Sequence, residues 1–320
     1  MRLLCAIVTA PTPPSTDPGP LDEALARTGY FSTKSLAVSL RLALALERPL
    51  LVEGPAGVGK TMLAHASAEL LGRSLLRLQC YEGLDESRAL FEWDYAKQIL
   101  YTQLLRDAVK DALVDLPTGP SALAAAVDRV ASLETSFFSE RFLVARPLLQ
   151  AIRSAQPVVL LIDEVDRADP EFEALLLEVL ADFAVTIPEL GTFRAVAKPL
   201  VVLTTNGTRE LTEALRRRCL HAFIDYPEPS RELQIVRARV PGIAAALAER
   251  LVEFVRKLRE LELRKSPSLA ESIEWARAIL VLGASALDEE TARSTLGVLL
   301  KHGEDREKVE ARLTALLPRA

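Results

Sequence analysis

The chain has 320 residues, of which 49% are hydrophobic, enough for a substantial core and about two domains. Its net charge of -5 argues against a general basic field for nucleic acid or anionic lipid, while leaving room for a local basic patch. Three unclustered cysteines (Cys5, Cys80, Cys219) and three scattered histidines (His65, His221, His302) argue against a disulfide framework or a zinc knuckle. They fit a reducing, cytoplasmic setting.

The chain opens MRLLCAIVTAPTPPST, one arginine followed by a short apolar run that faintly resembles a signal peptide. Residues 11–20 hold five prolines, so residues 1–20 read as a flexible leader with structure beginning near Leu21. No apolar run reaches the roughly 18 residues of a membrane span. Five short apolar runs read as buried strands: Pro49–Glu53, Leu75–Gln79, Val158–Ile162, Leu200–Thr204 and Ala222–Tyr226. Helical patterns separate most of them, which predicts an α/β fold with a parallel sheet covered on both faces. After the third strand, Asp169 suits an N-cap and Pro170 the first helical position. Phe172, Leu175, Leu176, Val179 and Leu180 then recur at helical spacing. Residues 184–199, AVTIPELGTFRAVAKP, read as a β-hairpin. From about residue 229 onward the helix formers carry no strand signal. The expected division is an α/β domain over 21–228 and an all-helical domain over 229–320.

The chemistry begins after the first strand. Gly54-Pro55-Ala56-Gly57-Val58-Gly59-Lys60-Thr61 fits GxxxxGK[ST] in full. Glycines let successive N–H groups curl toward a phosphate, and the helix that follows, with Met62 in its first turn, adds its positive end. Lys60 is expected to reach the β- and γ-phosphates of ATP, and the Thr61 hydroxyl to ligate Mg²⁺. Asp163 and Glu164 close the third strand at the edge where open α/β sheets bind ligands. Asp163 suits the Mg²⁺ shell, and Glu164 suits polarising a water for attack on the γ-phosphate. Taken alone, the pair is equally a solvated strand end. Asn206, after the fourth strand, is placed to orient that water, although an asparagine there is also ordinary turn chemistry. Arg216-Arg217-Arg218 precede the fifth strand. They read either as a solvated helix end or as an arginine finger offered to a neighbouring subunit.

The order of these motifs resembles the AAA+ ATPases. VEGPAGVGKT, LLIDEVDRAD and ALRRRC leading into IDYPEP are similar to MoxR-type ATPases over roughly residues 21–311. RLQCYEGLDESRALFEWDYAKQIL and STLGVLLKHGEDREKV resemble the branch linked to carbon monoxide dehydrogenase and molybdenum hydroxylases. The resemblance implies a five-stranded AAA+ domain with a helix-2 hairpin insert and a helical lid. It implies a ring, often a hexamer, with ATP or ADP at subunit interfaces. It also implies a von Willebrand factor A domain partner and a metalloenzyme client. Arg218 aligns best with the trans finger and Arg217 next, while Tyr30 lies where relatives bind adenine. One departure stands out: where many MoxR proteins carry a sensor-2 arginine, this chain has Glu271, and Ser268 with Glu271 spells a capping box. Arg277 lies two turns further on.

Tyr81, Phe91, Trp93 and Tyr95 read either as client-gripping aromatics or as local packing of a helical face, Phe91 and Tyr95 being four apart. Residues 102–150 carry no chemical motif. A clamp-loader-like or other DNA-linked ATPase, suggested by the Arg218-Cys219 pair, and a nucleotide-binding scaffold with little turnover are the competing readings. The acidic balance speaks against nucleic acid as a partner.

Overall fold

The structure is a computed structural model that describes residues 18–101, 103 and 139–318. Most of the expected leader lies outside these residues, but helix α1 (Pro18–Arg27) already begins before Leu21. Five strands form one sheet in the order β2-β5-β8-β1-β9. They are β1 (Leu50–Glu53), β2 (Leu75–Gln79), β5 (Val159–Asp163), β8 (Leu200–Thr205) and β9 (Leu220–Phe223). The residues of each are mostly apolar, though β2 carries Arg77 and Gln79 and β9 carries His221. Those of β5 and β8 are buried throughout, as a strand covered on both faces requires. The fold is α/β, with helices alone in the chain after β9.

The chain groups into two compact units. One takes the described residues of Met1–Gly72, Thr204–Gly207 and Cys219–Ala320. It contains α2 (Lys34–Leu46), β1, α3 (Lys60–Leu71), β9 and the C-terminal helices. Here β1 pairs in parallel with β9, from Leu50 opposite Leu220 to Glu53 opposite Phe223. The strand expected over Ala222–Tyr226 therefore begins two residues earlier and ends three earlier. The chain pairs immediately after Cys219, where the Leu220 N–H reaches the Pro49 carbonyl at 2.8 Å. Apolar content misled here, because Phe223 stays 60% exposed on this edge strand.

The C-terminal helices are α8 (Pro229–Arg239), α9 (Ala245–Arg259), α10 (Leu269–Val281), α11 (Glu289–Leu299), α12 (Gly303–Glu310) and α13 (Leu313–Leu316). They share a core built on Leu251, Phe254, Trp275, Ile279 and Leu296. The capping box of α10 forms as its sequence spells: Ser268 Oγ accepts from the Glu271 N–H, and Glu271 accepts from the Ser268 N–H at 2.7 Å.

The second unit holds the described residues of Arg73–Leu203 and Thr208–Arg218. In it β2, β5 and β8 pair in parallel, with Gln79 opposite Asp163 and Ile162 opposite Leu203. After the short helices α4 (Glu86–Ala89) and α5 (Pro147–Arg153), helix α6 (Pro170–Asp182) starts at its proline as expected, but Asp169 makes no side-chain cap. Its carboxylate accepts instead from the Gly83 N–H at 3.0 Å. Strands β6 (Ala184–Ile187) and β7 (Gly191–Arg194) form the expected antiparallel hairpin. Phe91 and Trp93 do not lie on a helix. They belong to β3 (Phe91–Trp93), paired with β4 (Leu143–Ala145), and meet edge to face at 5.9 Å. Helix α7 (Glu213–Arg218) closes this unit.

Candidate functional site

Strand β1 hands the chain to helix α3 through Gly54–Gly59, and the backbone there needs glycine. Gly57 and Gly59 take φ values of 75° and 100°, in the left-handed region that other residues avoid. A Cβ on Gly54 would fall 1.9 Å from the Ile224 carbonyl oxygen. Gly59 is also the N-cap of α3 and makes no side-chain cap, and the positive end of that helix favours an anion.

Lys60 is buried although it carries a charge. Its ammonium donates to the Gly54 and Pro55 carbonyls, each at 2.7 Å, and to Asn206 Oδ1 at 2.8 Å. Asn206 follows β8 and so reaches the loop lysine directly. Thr205 Oγ1 accepts from the Gly207 N–H at 3.0 Å and fixes that bend. Met62 is exposed in the first turn of α3, and Val58 is buried under the loop. Tyr30 is buried, and its ring edge would lie 3.8 Å from a Cβ on Gly59. Burial pushes its hydroxyl well above the usual tyrosine range, against a smaller opposing pull from Arg231.

The same unit seats the start of α10 on the loop. The Ala270 N–H donates to the Gly57 carbonyl at 3.1 Å. Ser268 packs so closely that a Cβ on Gly57 would meet its Oγ at 2.4 Å. Beside this contact lies a cavity of about 430 Å³, lined by Ala56, Gly57, Tyr226, Lys265 and Glu271 among others. Lys265 reaches Glu271 at 3.1 Å. Glu271 thus serves as a cap where a sensor-2 arginine was missing. Arg277 turns away, donating to the Arg239 carbonyl at 3.3 Å.

In the second unit, Glu164 follows Asp163 with φ 56° and ψ 50°, left-handed for a residue with a side chain. Such a conformation costs on the order of 1 kcal/mol and persists where neighbours enforce it. The bend lets two consecutive carboxylates be reached from one side of the sheet. Gln79 Nε2 donates to Glu164 Oε2 at 3.0 Å, and Arg77 Nη2 donates to Asp163 Oδ2 at 2.7 Å. Arg167 also donates to Glu164, at 3.0 Å. Neither Arg77 nor Gln79 stands out in the sequence. Cys80 is buried next to them, and burial, reinforced by Asp163, pushes its thiol up to about 12, which leaves it inert. Arg216, Arg217 and Arg218 are all exposed at the end of α7, and Arg217 pairs with Glu213.

The Thr61 hydroxyl in one unit and the Asp163 carboxylate in the other are each hard oxygen donors, the type Mg²⁺ takes beside substrate oxygens. Among the described residues no cluster of three or more His, Cys, Asp or Glu could hold a metal without such help. The glycine loop and the α3 N-terminus fit a phosphate chain on the same grounds. No helix among the described residues is long and apolar enough to cross a membrane.

Residues 38–187 match the family model described as the AAA ATPase domain. The chain is 24% identical to gas vesicle ATPase GvpN of Ancylobacter aquaticus over 85% of its own length and 71% of that protein's. It is 32% identical to human Fidgetin-like protein 1, over only 39% of this chain and 19% of that one. Among solved structures, the Holliday junction branch migration motor RuvB of Thermotoga maritima aligns with 83% of this chain and 67% of its own. The TM-score is 0.43 at 19% identity.

Proposed function

We propose that this chain is an Mg²⁺-dependent ATPase of the MoxR kind that remodels a client protein. The observation that carries the reading is the glycine loop. Its left-handed Gly57 and Gly59 lead into an uncapped helix start, with the buried Lys60 held beside it by carbonyls and Asn206. Such a loop converts backbone N–H groups into an anion cradle, and Lys60 adds a charge that need not be desolvated anew.

In this reading Lys60 exchanges its carbonyl partners for the β- and γ-phosphates. Thr61 and Asp163 would hold a Mg²⁺ shell, which would supply positive charge for the phosphate oxygens. Glu164 orients and polarises the attacking water, and the strained backbone at its position fixes that direction. Asn206 steadies the water or the γ-phosphate. Tyr30 borders the adenine, and Gly54 through Met62 enclose the phosphates. Arg218, with Arg217 as the next candidate, completes a neighbouring subunit's site in a hexameric ring. The seat of α10 on Gly57 supports nucleotide state being passed to the helical region. The likeness to a gas vesicle ATPase supports the ATPase reading. A von Willebrand factor A domain partner, a metalloenzyme client and a cytoplasmic site of action complete the proposal. The separation into an α/β domain to about residue 228 and a helical domain beyond it belongs to the same reading.

Native mass spectrometry with ADP and with ATP, with phosphate release read in parallel, tests it. A nucleotide-dependent ring with turnover lost in Glu164→Gln is expected. A persistent monomer would remove Arg218 from the site. Turnover stimulated by duplex DNA would replace the protein client with nucleic acid.

A further inference from the structure

We infer that Arg77 is a tethered counter-ion that competes with the divalent cation for Asp163. The inference rests on the nucleotide-site reading above and adds to it a residue that sets cation affinity.

The placement follows from strand geometry. Side chains two apart on a strand share a face, so Arg77 and Gln79 project together from β2. The parallel register sets Gln79 opposite Asp163 and Arg77 opposite Leu161, so Asp163 lies on that face as well. The guanidinium then reaches two residues along the strand and donates to Asp163 Oδ2 at 2.7 Å. It also donates to Gln79 Oε1, while the Gln79 amide nitrogen donates to Glu164 Oε2 at 3.0 Å. One cation therefore bears on both carboxylates, one directly and one through an amide.

Burial makes the pair competitive rather than merely structural. The Asp163 side chain is 4% exposed, whereas that of Arg77 is 50% exposed. A carboxylate this dry needs a positive partner, and Arg77 provides one. The guanidinium can swing into water while the carboxylate stays in place. A divalent cation on the same lone pairs would stand within a few ångströms of the guanidinium and repel it. Arginine cannot relieve this by losing its proton at physiological pH. Cation binding must therefore displace Arg77.

The test measures cation binding directly. Mn²⁺ is titrated into the full chain with ADP and followed by electron paramagnetic resonance for wild type, Arg77→Met, Arg77→Gln and Arg77→Lys. Methionine keeps an apolar stem without the charge, and lysine keeps the charge without the fork. Half-saturating Mn²⁺ is expected to fall about tenfold in Arg77→Met and Arg77→Gln, and to stay within about twofold of wild type in Arg77→Lys. Unchanged or weaker Mn²⁺ binding in the two neutral variants, or failure of both to fold, would overturn the competition and leave Arg77 a structural partner. A fluorescent ADP analogue titrated without divalent cation separates the layers. Wild type that binds no nucleotide removes the site reading and this inference with it. Normal nucleotide binding with unshifted Mn²⁺ removes this inference alone.

Discussion

Arg259 joins the helical region into one polar network, and replacing it should unfold that region early. Its guanidinium grips Glu232 through two bonds of 2.6 and 2.8 Å and donates to the Pro267 carbonyl at 2.8 Å. Ser272 donates to the same carboxylate at 2.9 Å, and the Tyr226 ring lies 4.9 Å from the guanidinium carbon. The Glu232 side chain is 2% exposed. Arg259→Met leaves it charged and dry, which costs about 3–5 kcal/mol. Loss of the cation–π contact with Tyr226 adds roughly 1 kcal/mol. Replacing both partners, as in Glu232→Leu with Arg259→Met, removes the orphaned charge and should recover most of that loss. Trp275 is fully buried in this core and is one of two tryptophans, so its fluorescence in a Trp93→Phe background reports urea unfolding of this region. The reasoning fails if Arg259→Met costs less than about 1 kcal/mol, or if the double variant is as unstable as the single one.

Two further outcomes follow from the loop and the helix seated on it. Burial works against ionisation of Glu271, but the Ser268 N–H and Lys265 prevail and hold its carboxyl below the ordinary 4.5. A depressed folded value means the stabilisation is present above the ordinary carboxylate range and is lost as pH falls through the lowered value. The Trp275 transition should therefore weaken with acid below about pH 4.5 in wild type and less steeply in Glu271→Gln; parallel profiles would contradict this. Gly54→Ala should abolish nucleotide binding or fold poorly, because its Cβ would sit 1.9 Å from a backbone oxygen that cannot step aside. Wild-type affinity for a fluorescent ADP analogue in that variant would show that the loop is not held as described.

The legible parts of this molecule are those written in local pattern. Buried strands such as Val159–Asp163 are continuous apolar runs, and the glycine loop and capping box are spelled out within a few residues. The fifth strand was displaced because its position is set by pairing with β1, not by where its apolar residues fall. The pairing of Phe91–Trp93 with Leu143–Ala145 was hidden because each strand is only three residues long. Arg77 and Gln79 were missed for a related reason. Their partners lie 86 and 85 residues away, and only the β2–β5 register brings them together. The left-handed backbone at Glu164 likewise has no signal in a glutamate.

The central claim is that the loop around Lys60 binds ATP and that Glu164 drives its hydrolysis. It is tested most directly by measuring bound ATP and released phosphate together for wild type, Lys60→Ala and Glu164→Gln. The account predicts binding with turnover in wild type, binding without turnover in Glu164→Gln, and neither in Lys60→Ala. Phosphate release from Glu164→Gln at the wild-type rate, or undiminished ATP binding by Lys60→Ala, would contradict it.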